Sequence, residues 1–146
     1  LPPIFIQWIR FRDDIGSIIL FFYQWLKTGK LPDIHYIRTR KSPIERKLYV
    51  ALKKAGYRVK AQYVMGPYRC DLAITKYKLV IECDGAAYHS SKKQKARDRK
   101  KAYYIRKKHK WKLLRLKGSQ INSDIAKCVE QIHLTTGHHG ESRNAL

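Results

Sequence analysis

The sequence predicts an α/β domain with a central sheet, in the order helix, three-strand meander, helix, strand, helix, preceded by a helical N-terminal extension. Three observations carry that expectation. Leu79-Val80-Ile81, continued by Glu82-Cys83-Asp84 and closed by Gly85, is the short apolar run of a strand in a packed sheet. Ser42-Pro43-Ile44-Glu45 opens a helical pattern, and residues 57–65 and 68–75 read as strands on either side of a Gly66-Pro67 turn. A chain of 146 residues, 44% of them hydrophobic, is long enough for one domain with its own core.

Residues 1–41 form the expected extension. The chain begins at Leu1 rather than Met, as expected of a fragment boundary. Residues 15–26 are an apolar run too short to span a bilayer and without a small-residue cleavage site, so they are expected to be a packed or partner-facing helix. Trp8, Phe11, Phe22 and Trp25 would otherwise be a large exposed patch, which should dock on the core or form a homodimer or interdomain contact. Arg38 to Lys41 read as a basic linker.

The core is expected over residues 42–134. Ser42 is the N-cap of its first helix, Pro43 takes the first helical position, and Glu45 completes a capping box. Ile44, Leu48 and Leu52 supply an apolar face, and Gly56 ends the helix. In the strand of Glu82, alternation puts Val80, Glu82 and Asp84 on one face and Leu79, Ile81 and Cys83 on the other, one face for core and one for chemistry. Ser90 to Lys110 is helical and basic. Trp111 to Leu116 alternate as the last strand, with Trp111, Leu113 and Leu116 toward the core, and Ile121 to Leu134 close the fold as a helix capped by Asn122 or Ser123. Residues 135–146, with His138 and His139, are expected to be a flexible tail.

A net charge of +21 and a pI of about 10.1 call for a polyanionic partner, nucleic acid before an anionic membrane. Between Lys92 and Lys117 there are fourteen Lys or Arg and one acid, Asp98. That density repels itself without a polyanion, and Tyr88, Tyr103 and Tyr104 add stacking surfaces, so the expected nucleic-acid contacts, with DNA if the resemblance below holds, are Lys92, Lys93, Lys95, Arg97, Arg99, Lys100, Arg106, Lys107 and Lys108. Three widely spaced cysteines, Cys70, Cys83 and Cys128, indicate neither a disulfide framework nor a zinc site, which fits a reducing, cytoplasmic setting.

A carboxylate inside a strand is tolerated when it is paired or holds a metal. The meander sets Asp71 on the strand next to Glu82. Neighbouring strands lie about 5 Å apart, against about 6.6 Å along one strand from Glu82 to Asp84, so Asp71 with Glu82 is the better chelate. For hard oxygen donors of this kind Mg²⁺ is the expected ion, with Mn²⁺ as its substitute.

Four ordered blocks, Ser42-Pro43-Ile44-Glu45, Gly66-Pro67-Tyr68-Arg69-Cys70-Asp71, Leu79 to Gly85 with His89, and Trp111-Lys112-Leu113-Leu114-Arg115-Leu116, resemble the restriction-endonuclease-like PD-(D/E)XK nucleases. More narrowly they resemble the Vsr-like branch of patch-repair nickases, and the likeness covers residues 42 to about 133. It implies a restriction-endonuclease-like core with a central mixed sheet and Mg²⁺-dependent hydrolysis of DNA phosphodiesters, as an endonuclease or nickase. Asp71, Glu82 and the Cys83 carbonyl would hold the metal, and Glu45 would be the acid such nucleases place on the first helix. Asp84 stands where the motif has a lysine, which leaves His89 as the candidate general base and Lys92 or Lys93 as phosphate donors. The alternatives are a catalytically silent DNA-binding module of the same fold, a nuclease domain of a larger repair, restriction or mobile-element protein, and a basic RNA-binding protein. In the non-catalytic readings Glu82 and Asp84 would pair with Arg or Lys.

Overall fold

The computed structural model describes residues 3–85 and 91–138, with side chains from residue 15 onward. Its centre is a four-stranded sheet in the order β1-β2-β3-β4. β1 (Lys60–Met65), β2 (Tyr68–Ile74) and β3 (Leu79–Asp84) form the antiparallel meander that the punctuation predicts. Gly66 turns β1 into β2 at φ 57°, and a Cβ there would stand 2.0 Å from the Tyr104 hydroxyl, so the turn needs glycine twice over. β4 (Lys112–Lys117) lies parallel to β3, a pairing that requires a crossover. α4 (Lys92–Tyr103) and the π-helical turn Tyr104–Lys108 belong to that crossover. The sheet is therefore mixed.

Both of its faces carry core, which corrects the assignment of one face to packing and the other to chemistry. On one side Leu48 and Leu52 of α3 (Pro43–Lys54) pack with Leu72, Leu79, Ile81, Leu116 and Ile132. On the other, Val80, Cys70, Met65 and Leu113 pack beneath Ile105. Trp111 and Leu113 belong to this second cluster while Leu116 belongs to the first, because alternate residues of a strand point to opposite faces. Alternation itself breaks in the hairpin. Ala61 and Leu72 belong to the first cluster, yet Tyr63 and Cys70, two residues on, belong to the second. The residues between are Gln62, at φ 52°, and Asp71.

The segment read as a linker is structured. α2 (Ile34–Arg38) is capped by Asp33, which accepts from the His35 and Tyr36 amides at 3.0 and 3.2 Å, and a 3₁₀ turn follows over Thr39–Lys41. α2 covers the outer edge of the sheet, where His35 Nδ1 accepts from the Ala61 amide at 3.3 Å. α1 (Pro3–Thr28) meets this region through Gly16 and the buried Ser17, whose hydroxyl accepts from Arg40. Phe22 and Trp25 stay 50% and 42% exposed, so among the described residues these two side chains are not docked on the core, and the side chains of Trp8 and Phe11 lie outside the described residues. Among the described residues no helix is long and apolar enough to cross a membrane.

At the other end, the single predicted closing helix is two. α5 (Gly118–Ser123) stops at Asp124, which caps α6 (Ile125–Thr136) by accepting from the Lys127 amide at 3.0 Å, in place of Asn122 or Ser123. α6 also runs past Leu134 to Gly137, at φ 69°, and His138 Nδ1 meets the Tyr77 hydroxyl at 3.1 Å. The expected loss of packing from residue 135 therefore does not hold as far as His138, and His139 lies outside the described residues.

Candidate active site

The carboxylates converge at the C-terminal end of β3. The β2–β3 register pairs Leu72 with Ile81, and one step further it sets Asp71 across from Glu82. Asp71 Oδ2 accepts from the Cys83 amide at 2.7 Å, so a side chain replaces a ladder carbonyl where the strands part. Glu45 comes from the first turn of α3, where its amide donates to the Ser42 cap at 3.4 Å. Its Oε2 accepts from Gln62 Nε2 at 2.8 Å, so the left-handed residue of the hairpin orients the helix's acid. Gly118 draws these elements together. A Cβ there would stand 3.3 Å from both the Asp84 carbonyl oxygen and Ile44 Cδ1, a spacing that seats α3 against the end of β3.

Burial makes negative charge costly here. It pushes Glu45 up to about 7, helped by the charge of Asp71. Asp71 and Glu82 are raised for the same first reason; the Cys83 amide and Lys101 pull Asp71 back, and Lys101 pulls Glu82 back. The Cys70 thiol is pushed up to about 12, chiefly by burial, so it is no nucleophile at neutral pH.

A cation enters the cluster from the crossover, and Arg115 of β4 adds its charge beside Glu82. Lys101 Nζ lies 2.8 Å from Glu82 Oε1, with the two side chains 16% and 13% exposed, and donates to the Arg69 carbonyl at 2.6 Å. That ammonium is the near counter-charge of the buried Oε1. The sequence reading missed Lys101, one of fourteen cations in its run. The available signal was spacing: Lys101 lies four residues before buried Ile105, on the same face of the crossover. Gln62 carried no signal, since its role depends on a φ no pattern encodes.

The structure sets Glu45, Asp71 and Glu82 in one electrostatic cluster, with Cys83 and Asp84 beside them on β3. Lys92, Lys93, Lys95, Arg97, Arg99 and Lys100 are exposed on α4, and Lys107 and Lys108 on the π-helical turn, while Arg106 is tied to the Leu113 carbonyl at 3.1 Å. His89 and Tyr88 lie outside the described residues. Among the described residues no three His, Cys, Asp or Glu side chains form a ready ligand group. Mg²⁺ does not require one, because it is bound through one or two carboxylates and keeps waters. The donors present fit it: two carboxylates on neighbouring strands, in surroundings where burial disfavours their charge, next to a third acid.

A mixed sheet with a helix before the meander, a helical crossover into a parallel fourth strand, and acids gathered where β2 and β3 part defines a restriction-endonuclease-like nuclease fold. Residues 44–135 match the REase_MTES_1575 family, more than half of the chain, and the protein belongs to that restriction-endonuclease-like family. Its fold is similar to a solved structure titled Homing Endonuclease I-Bth0305I Catalytic Domain, at TM-score 0.54 and 24% sequence identity, over 63% of this chain and 91% of that one. A comparison with curated proteins found no match.

Proposed function

We propose that this protein is a metal-dependent DNA endonuclease or nickase of the Vsr-like kind, with its site at the end of β3. The observation that carries the reading is the placement of Asp71 beside Glu82, with Glu45 close enough for the charges to interact, in surroundings where burial disfavours their charge. Fold stability gives no reason to gather acids there, whereas a cation does. Asp71, Glu82 and the Cys83 carbonyl would hold Mg²⁺, or Mn²⁺ in its place. A metal in such a site supplies polarisation of the phosphoryl oxygen and a lowered pKa for the attacking water.

The remaining roles fall to the chain's own residues. Glu45, with its carboxyl pushed up to about 7, is poised to take or give a proton at neutral pH. Asp84 replaces the lysine of the general motif, and Lys101 brings an ammonium to the same cluster from another element, suited to charge that develops on the phosphate. His89 is retained as the general-base candidate. The cations of α4 and the π-helical turn give DNA a surface whose affinity should depend steeply on salt. The neighbour's title, a homing endonuclease, supports DNA as substrate.

The Lys101–Glu82 contact favours a second reading, in which the acids are satisfied by lysine and the fold only binds DNA. A supercoiled-plasmid assay separates the two. Nicking in Mg²⁺ that EDTA abolishes is expected; equal absence of nicking in Mg²⁺ and Mn²⁺ would favour the silent module.

A further inference from the structure

We propose that Gln62 is a positioning residue, kept in a left-handed conformation inside β1 so that its amide holds the Glu45 carboxyl within reach of Asp71. Three non-glycine residues among those described have a positive φ. Lys78 and Lys110 lie in connections between elements, whereas Gln62, at φ 52°, is the third residue of a six-residue strand. A Cβ makes that conformation costly, and glycine or asparagine would take it more readily. The residue present is instead one with a long amide side chain, so the reason for it lies in what the side chain reaches.

The distortion acts on both strands of the hairpin. The ladder pairs Ala61 with Leu72 and Tyr63 with Cys70, but Gln62 and Asp71 between them do not pair. Ala61 and Leu72 pack on one face of the sheet and Tyr63 and Cys70 on the other, so both strands switch faces at this level. The two residues released from the ladder tie the site to its neighbours. Asp71 Oδ2 accepts from the Cys83 amide of β3 at 2.7 Å, and Gln62 Nε2 donates to Glu45 Oε2 of α3 at 2.8 Å.

Glu45 is the group that needs holding. Burial and the charge of Asp71 disfavour its ionised form, while hydrogen bonds from Gln62 and Ser42 favour it. Left to itself, the ionised carboxyl would turn away from Asp71, and the amide holds it against that repulsion. Because Nε2 only donates, Oε2 stays an acceptor and the titrating proton is left to Oε1.

What Glu45 does at the site rests on the nuclease reading; how it is held does not. Gln62→Gly and Gln62→Asn both suit the left-handed backbone and cannot reach Glu45, the first lacking a side chain and the second being one methylene short. Relative to the native chain in EDTA, both should lose melting temperature progressively as pH rises from about 5 to about 8, because the amide favours the ionised carboxyl. Single-turnover nicking in Mg²⁺ should fall by about 10²-fold, the scale of a misplaced reacting group, at unchanged affinity for a fluorescein-labelled duplex. A melting difference equal at every pH would make Gln62 a structural residue. Native nicking rates in both variants, or a loss carried by affinity alone, would remove it from the site, and any of these results overturns the assignment. If the native chain never nicks while the pH-dependent difference is found, the nuclease reading fails and the hold of Gln62 on Glu45 stands.

Discussion

The two halves of β3 have opposite characters. Leu79, Val80 and Ile81 have no exposed surface and join the cores on both faces of the sheet. Glu82, Cys83 and Asp84, the next three residues of the same strand, are half-buried and include two acids. β2 repeats the contrast in reverse order, with Leu72, Ala73 and Ile74 sealed and Asp71 half-buried beside them, before Cys70 returns to the core of the other face. Stability and chemistry are thus divided along the strands rather than between the faces of the sheet. The apolar half fixes the register, and the register holds the acids together against burial and mutual repulsion.

Three variants can break or sharpen that division. Ile81→Ala removes a fully buried side chain and should cost up to about 5 kcal/mol, read as a lower urea midpoint at unchanged slope. A cost below about 1 kcal/mol would mean that the sealed half does not hold the register. Lys101→Ala leaves Glu82 buried without its counter-charge and should cost about 3 kcal/mol in EDTA. Mg²⁺ should restore part of that loss; equal melting temperatures with and without Mg²⁺ would detach the pair from any metal.

The smallest expected effect is a pH dependence. Glu45 in the folded chain titrates near 7, against 4.5 when unperturbed, so between those values the folded state keeps a proton that the unfolded chain has lost. Stability in EDTA should fall as pH rises through that window, because the folded state binds more protons. Glu45→Gln should flatten the fall, while Asp71 and Glu82, also raised by burial, keep a contribution of the same sign. A slope unchanged from pH 6 to 7, measured by thermal melts, would remove Glu45 from the cluster.

Much of this was legible in the sequence because it is written in local chemistry. The Ser42 cap with Pro43, the Gly66 turn and the apolar run at Leu79 each specify their structure within a few residues, and together they place Asp71 next to Glu82. What escaped depended on contacts distant in sequence. Residues 38–41 read as a linker because their order comes from Asp33 capping and from the Arg40–Ser17 contact. Asp124 was passed over as a cap because the apolar pattern runs through it without a break. The double-sided core was misread because Glu82 and Asp84 interrupt the second face within six residues. Lys101 was hidden by its neighbours, since charge density marks a surface but does not say which cation turns inward.

The central claim is that Asp71 is kept for a metal and not for the fold, and Asp71→Asn tests it most directly. Asparagine can still accept the Cys83 amide through its carbonyl oxygen, so the strand junction is preserved while the charge is removed. Thermal melts in EDTA should show a variant no less stable than the native chain, because repulsion with Glu82 is relieved, and the same preparation should have lost Mg²⁺-dependent plasmid nicking. A large drop in melting temperature together with retained nicking would contradict the account.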